Sequence, residues 1–320
     1  MAEPARVVCL GSILVDIAVD VPALPERGGD VLAAGTRTVV GGGYNLAAAV
    51  ARQDVPCSYA APHGTGRHGD LVRAALAAEG ITVTGRQRGD GDTGFCVALI
   101  EPDGERTFVT APGVEAALTA DDLATVRCAP GDIVAVSGYD LLYPGSGPAL
   151  AAWTAALPDQ VRVALDPGPL VLDIPAARLA AVLATVSVLT LNQREARLLG
   201  AAPDADGPAL LAAVRSALSA ASVLRPAAVL VVREGAAGCL ATGGDLGERV
   251  VTVPAPRVRA VDTTGAGDTH TGVLLAELAR GRPVEDALDT ANRAAAISVT
   301  RVGPATAPRR AELRPAPGAV

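Results

Sequence analysis

Asp262-Thr263-Thr264-Gly265-Ala266-Gly267-Asp268-Thr269 is the stretch whose reading decides both the fold and the chemistry. It follows a Pro-interrupted, β-like run at residues 250–261 and precedes the apolar helical pattern of Val273, Leu274, Leu275 and Leu278. The octet therefore lies where a strand or loop hands over to the N-terminus of a helix. Gly265 and Gly267 carry no Cβ, so backbone can approach a ligand closely there. Free N–H groups and the positive end of the helix dipole suit a phosphate or a developing oxyanion. Asp268 runs against that logic, because a carboxylate repels an anionic ligand. A base that takes the proton of an attacking hydroxyl reconciles the two. Asp and Thr are also common helix caps, so a lone Gly-x-Gly-Asp would carry little. The complete octet is far more specific.

Working outward, residues 132–137, 161–165, 186–191 and 228–232 read as apolar strands, and residues 147–157, 176–184, 194–199 and 210–222 read as helices between them. That alternation predicts a mainly parallel sheet with helices on both faces. Ligands of such sheets lie beyond the C-terminal ends of the strands. The polar residues at those ends are Asp166, Asn192 with Glu195, Arg233, and the octet itself. A last helix, residues 286–299, carries Asn292. Near the start, residues 6–14 read as a buried strand ending near Gly11-Ser12, with Asp16 inside the apolar run that follows. A buried carboxylate there is costly without a partner. Gly41-Gly42-Gly43-Tyr44-Asn45 precedes an Ala-rich helix and repeats the glycine-then-helix pattern. Residues 31–40, 93–100 and 105–110 are β-rich with no helix after them, and the last two are joined by Pro102-Asp103-Gly104, a tight hairpin signal. They read as a small sheet separate from the main one.

Composition narrows the classes. The 320 residues can bury a large core, and half are apolar. No apolar run approaches the ~18 residues needed to span a membrane. The first six residues lack a secretory n-region and h-region. Five scattered cysteines without a CxxC pair fit a reducing cytoplasm. A net charge of −7 with no basic run argues against nucleic acid as partner. The chain contains no lysine, which excludes a Gly-Lys-Ser/Thr phosphate loop and the strand lysine of protein kinases.

The octet resembles the C-terminal D-T-x-G-A-G-D signature of the ribokinase (PfkB) family of carbohydrate and nucleoside kinases, and the match is complete. The resemblance runs over about residues 7–304 in the family's motif order. It implies a ribokinase-like α/β sandwich with a small β-sheet lid, the lid strands coming from about residues 31–40 and 93–110. Residues 1–304 would form the kinase domain and 305–320 a loose, Pro- and Arg-rich tail. By resemblance Asp268 is the catalytic base, and Gly265, Ala266 and Gly267 form its anion hole. Asp16, Gly42, Gly43 and Asn45 match sugar-binding positions, although the glycine turn is shorter here than the family's usual form. Asn192 and Glu195 match N-x-x-E, which organises phosphate and, through water, Mg²⁺. Residues 231–238 match the turn near the nucleotide, with Gly235, Gly238 and an Arg233 where relatives carry Thr or Lys. Asn292 corresponds to the neighbourhood of the adenine. Asp262 and Thr264, with residues 301–303, are the candidate K⁺ site. His270 stands where many relatives have Phe and is left outside the site.

The implied reaction is ATP-dependent phosphorylation of a sugar hydroxyl. A nucleoside is the rival acceptor, for which Phe95, Phe108, Tyr44, Tyr139 and Tyr143 could supply stacking. A sugar phosphate would want cations, for which Arg86, Arg88 and Arg106 are candidates. A non-catalytic nucleotide or sugar sensor is the alternative from another class, and an intact Asp268 argues against it. The resemblance also implies a homodimer through the lid.

Overall fold

The computed structural model describes residues 5–313. Nine strands form the main sheet, in the order Val251–Val253, Cys239–Thr242, Val229–Arg233, Val186–Asn192, Arg162–Asp166, Ile133–Ser137, Val7–Cys9, Cys57–Tyr59 and Thr82–Val83. From Val229–Arg233 to Thr82–Val83 every pairing is parallel, and the first two strands in that order are antiparallel additions. The central strands are apolar on both sides because both sides are covered. Val7, Cys9 and Ala135 belong to one buried cluster, with helices Gly43–Ala51, Ala266–Ala279 and Val284–Ser298 above them. Val8, Val134 and Val136 belong to the other, beneath helices Ser146–Ala155, Ala176–Leu183 and Gly207–Ala220. Helix Ala266–Ala279 is buried over nearly its whole length between Gly43–Ala51 and Val284–Ser298, which is why its sequence is apolar all round rather than on one stripe.

A separate four-stranded sheet stands over the C-terminal ends of the main strands, in the order Gly35–Gly42, Ile13–Asp20, Phe95–Ile100, Arg106–Ala111. This is the expected lid, with one strand more than the sequence reading gave it. Residues 6–14 are not one strand. The first strand ends at Cys9, and Ile13 begins a lid strand. The break is enforced at Ser12, whose N–H and hydroxyl both donate to Asp140, at 3.1 and 2.5 Å. Asp16 thus stands inside the lid, opposite Val39 and Cys96. The first β-rich stretch enters the ladder only at Gly35, so residues 31–34 lie outside it. The run at 250–261 forms a strand only over Val251–Val253, since Pro254 and Pro256 cannot donate to a ladder.

The expected loose tail is packed as far as it is described. Ala307 is 2% exposed, Arg52 donates to the carbonyls of Ala305 and Ala307, and Gln53 to that of Pro308. Arg310 pairs with the buried Glu277 at 2.6 Å. Carbonyls and charges of this segment are the partners of buried polar groups on the helices, which outweighs its Pro- and Arg-rich composition. Residues 314–320 of that stretch lie outside the described residues.

Candidate active site

Between lid and main sheet lies a cavity of about 450 Å³. Its floor at one end is the octet. Gly265 caps helix Ala266–Ala279 with φ 72°. A Cβ there would meet the Pro304 carbonyl oxygen at 2.1 Å, so the position takes glycine on both conformational and steric grounds. First-turn N–H groups point out of a helix end and have no intrahelical acceptor. Among the described residues those of Gly267 and Asp268 have no carbonyl partner, and both residues line the cavity. Ala266 differs from the expectation. Its N–H is bonded to the Thr263 carbonyl at 3.2 Å, and it is not part of the lining.

Asp268 accepts from Asn45 Nδ2 at 2.9 Å. Burial pushes its carboxyl up, as does Asp166; the Asn45 bond and Arg233 oppose that. Asn45 sits in the first turn of helix Gly43–Ala51, and its Oδ1 is buried with no partner, an acceptor waiting for a donor. Asp16 comes down from the lid. Burial, reinforced by the Asp268 charge, pushes its carboxyl up to about 6. Gly41 lies beside it, where a Cβ would be 1.9 Å from Asp16 Oδ2. Gly42 and Gly43 line the cavity as expected. Sequence reading missed Asp140, which is 1% exposed, holds Ser12 against the cavity and is pushed up to about 7 by burial. Its signal was faint, an Asp three residues past the strand end at Ser137. Phe108, Tyr139 and Tyr143 complete an aromatic wall.

The other end gathers the C-termini of three adjacent strands. Asp166, Glu195 and Arg233 meet there. Arg233 Nη1 donates to Asp166 at 2.8 Å, to Thr271 Oγ1 at 2.8 Å and to the Gly267 carbonyl at 3.2 Å. Its Nη2 lies 3.7 Å from Glu195. Burial and then the Asp166 charge raise the Glu195 carboxyl to about 7. Asn192 and Glu195 form a reciprocal capping box on helix Gln193–Leu199, with bonds of 2.9 and 2.8 Å. Asn192 is thereby occupied by its own helix and does not line the cavity, while Glu195 does.

Three residues expected at the nucleotide lie outside the cavity lining. Gly235 and Gly238 shape the turn after Val229–Arg233, outside the lining, and Gly238 closes against the Val253 carbonyl. Asn292 is 3% exposed, and its amide donates to the Val253 carbonyl at 2.8 Å. His270, left out of the site, is buried with both ring nitrogens unpartnered; burial and Arg233 lower it to about 3. Asp262 is saturated. Its Oδ1 accepts from Thr264 N, Thr264 Oγ1 and Arg106, at 2.9, 2.6 and 2.7 Å, and its Oδ2 from Gly303 N at 3.0 Å. Burial would raise this carboxyl, but those bonds and the Arg106 charge hold it below the ordinary range.

Residues 4–310 match the model of the pfkB family of carbohydrate kinases. The chain is 36% identical over 315 residues to the uncharacterised sugar kinase YegV of Escherichia coli, covering 96% of this chain and 92% of that one. The solved structure of ribokinase from Arabidopsis thaliana complexed with ribose and ATP is similar, with a TM-score of 0.79 at 26% identity, covering 98% of both chains. A nucleoside kinase from Burkholderia thailandensis, solved with inosine, shares the fold with a TM-score of 0.74 at 20% identity, over 97% of this chain and 94% of that one.

Proposed function

The chain belongs to the pfkB family of carbohydrate kinases and is an ATP-dependent sugar kinase, and from that premise we propose how its own residues carry the reaction. Asp268 takes the proton of the acceptor hydroxyl. The hydroxyl oxygen forms its bond to the γ-phosphorus as the bond to the ADP oxygen breaks. The N–H groups of Gly267 and Asp268, at the helix N-terminus, face the charge of the transferring phosphoryl. Arg233, linked to the Gly267 carbonyl, adds a positive charge at that end, where among the described residues no other cationic side chain lines the cavity. Asp16 and the unpartnered Asn45 Oδ1 accept hydrogen bonds from other acceptor hydroxyls and so orient the attacking one. The observation that carries this reading is the bond from Asn45 to Asp268, which ties the acceptor-side helix to the base at the mouth of the anion hole. A sensor has no use for a base held in that way.

Glu195, with Asp166 beside it, fits a Mg²⁺ bound mainly through ATP phosphates and water, because a carboxylate whose proton affinity is raised by burial and by a neighbouring negative charge is relieved by a divalent cation. When bound, the ion would neutralise phosphate charge. K⁺ at Asp262 and Thr264 does not fit. The Arg106 guanidinium already stands on that carboxylate, and Thr264 and the Gly303 N–H donate to its oxygens.

A nucleoside acceptor is the second reading. Phe108 and Tyr139 are 59% and 45% exposed beside the cavity, as a ring-stacking surface would be before its ligand arrives. Pairing of lids between two copies would cover Val109, which is also exposed on the outermost lid strand. Among the described residues no helix is long and apolar enough to cross a membrane, and a cytoplasmic location accords with five free cysteines.

The test is ³¹P NMR of the full chain with MgATP and a panel of pentoses, hexoses and nucleosides. A new phosphomonoester resonance matched by ADP is expected. ADP accompanied only by inorganic phosphate would mean that no acceptor hydroxyl is used.

A further inference from the structure

The arginines on the lid strands, and those on the segment leading into the third of them, are engaged within the chain. Only two lie on the strands themselves. Arg37 forks onto both carboxylate oxygens of Asp20, at 2.8 and 3.0 Å, and Arg106 holds Asp262 at 2.7 Å. Arg86 and Arg88, on the segment leading into the third lid strand, both reach the buried Asp122, at 3.3 and 2.7 Å. Among the described residues one cationic side chain lines the cavity, Arg233, and it is bridged between Asp166 and Glu195 at the transfer end.

The acceptor end has the opposite character. Asp16 and Asp268 bring two carboxylates to it, and Asp140 lies directly behind Ser12. The remaining polar groups there, Ser12, Asn45 and Thr110, are neutral. A phosphate group entering this space would lose water with no guanidinium to receive it and would face two like charges. Uncharged hydroxyls meet the reverse situation. They donate to Asp16 and to the unpartnered Asn45 Oδ1, while the C–H face of a ring lies on Phe108 and Tyr143.

We propose that this kinase takes an uncharged polyhydroxyl acceptor and discriminates against its phosphorylated counterpart, through an acceptor subsite lined by carboxylates and aromatic rings while Arg37, Arg86, Arg88 and Arg106 are held by Asp20, Asp122 and Asp262. The inference rests on the kinase reading above and narrows its substrate class. The same enzyme would then make the first phosphate ester on its substrate rather than the second, so a hydrolase or transporter delivering a free polyol must supply it.

The experiment is coupled ADP release by the full chain with MgATP and matched pairs: ribose and ribose 5-phosphate, fructose and fructose 6-phosphate, inosine and inosine monophosphate, with further free polyols added to the uncharged arm. The best uncharged member is expected to exceed its phosphorylated partner by about a hundredfold in kcat/KM, the scale of an uncompensated like-charge contact. Equal or greater turnover of a phosphorylated member overturns the inference and leaves the kinase reading standing. ADP release with no acceptor of either charge overturns both.

Discussion

The two ends of the cavity are built on different principles. The transfer end stands on the main sheet and one buried helix. Asp166 and Arg233 end two strands and Glu195 lies in the first turn of the helix that follows the strand between them, and the octet is locked by Gly265 against Pro304. Its positions move only if the core moves. The acceptor end is shared between that same frame, through Asn45, and the lid, through Asp16, Cys96, Phe108 and Thr110. The lid is a four-stranded sheet with an exposed outer strand. Positioning by the core at one end and a wall supplied by a separate sheet at the other suits a phosphotransferase, which must admit an acceptor and then exclude water. It also sorts the residues. Changes at the transfer end should lower kcat, and changes at the lid should act mainly through acceptor binding.

The largest effect belongs to Asp268. Asp268→Asn keeps the Asn45 contact but removes the base, and kcat should fall by about 10²–10⁴ with acceptor KM little changed. Turnover within tenfold of the parent would remove Asp268 from that role. Arg233 comes next. Arg233→Gln should lower kcat by about 10²–10³, the scale of losing one preorganised charge partner of the transition state, and Arg233→Lys should restore part of it. A loss confined to KM for ATP would move Arg233 from the transferring group to ground-state nucleotide binding. Thermal melting must accompany both variants, since Arg233 also neutralises Asp166 and Glu195.

The same division explains what was legible in the chain. Glu195 and Arg233 could be read because each lies at or within three residues of a strand end, and Asp268 because it lies in the first turn of a helix opened by its own glycines, so local sequence carries both the element and the site. Ala266 and Asn192 matched their motifs by position, yet one N–H closes a turn and the other side chain caps a helix. A motif gives residue order, not which way a donor points. The lid was harder. Residues 13–20 continue an apolar run, and nothing local distinguishes a strand that continues the main sheet from one that leaves it. The difference is made by Asp140, 128 positions away from Ser12. Resemblance assigns Gly235, Gly238 and Asn292 to the nucleotide; in the structure Gly235 and Gly238 shape a turn, and Gly238 and Asn292 pack on the Val253 carbonyl.

Asp16 tests the lid directly, and the sign of its effects runs in two directions. Its carboxyl is raised from 3.8 to about 6 by burial and by Asp268. As a hydroxyl acceptor it must be ionised, so kcat/KM should fall about tenfold per pH unit below 6 through a rising acceptor KM. Stability goes the other way. The protonated carboxyl favours the fold, and that contribution is fully present below 3.8 and lost as pH rises through about 6. Asp16→Asn should therefore be more stable than the parent at pH 8, by at most about 3 kcal/mol, while binding the acceptor poorly. Urea denaturation at pH 4 and pH 8 measures this. An equal effect of the substitution at both pH values would show that Asp16 is as well solvated folded as unfolded.

The smallest effect sharpens the comparison most, because it sits where the two ends touch. Arg106 is on the outermost lid strand and Asp262 opens the octet, so their 2.7 Å pair is a direct link from lid to anion hole. The pair is partly exposed, with side chains 25% and 17% accessible, and such a contact contributes about 1 kcal/mol at most. Arg106→Ala should accordingly raise the acceptor KM by about fivefold and leave kcat nearly unchanged. It should also change the response to monovalent cations. In the parent, exchanging Na⁺ for K⁺ at constant ionic strength should leave turnover unaffected, since a guanidinium already occupies the Asp262 carboxylate. In Arg106→Ala that oxygen keeps only its Thr264 donors, and K⁺ should then restore part of the lost acceptor affinity. Activation of the parent by K⁺ would show that Arg106 leaves Asp262 during turnover, and the link between the two ends would then be a contact of the empty enzyme rather than of the working one.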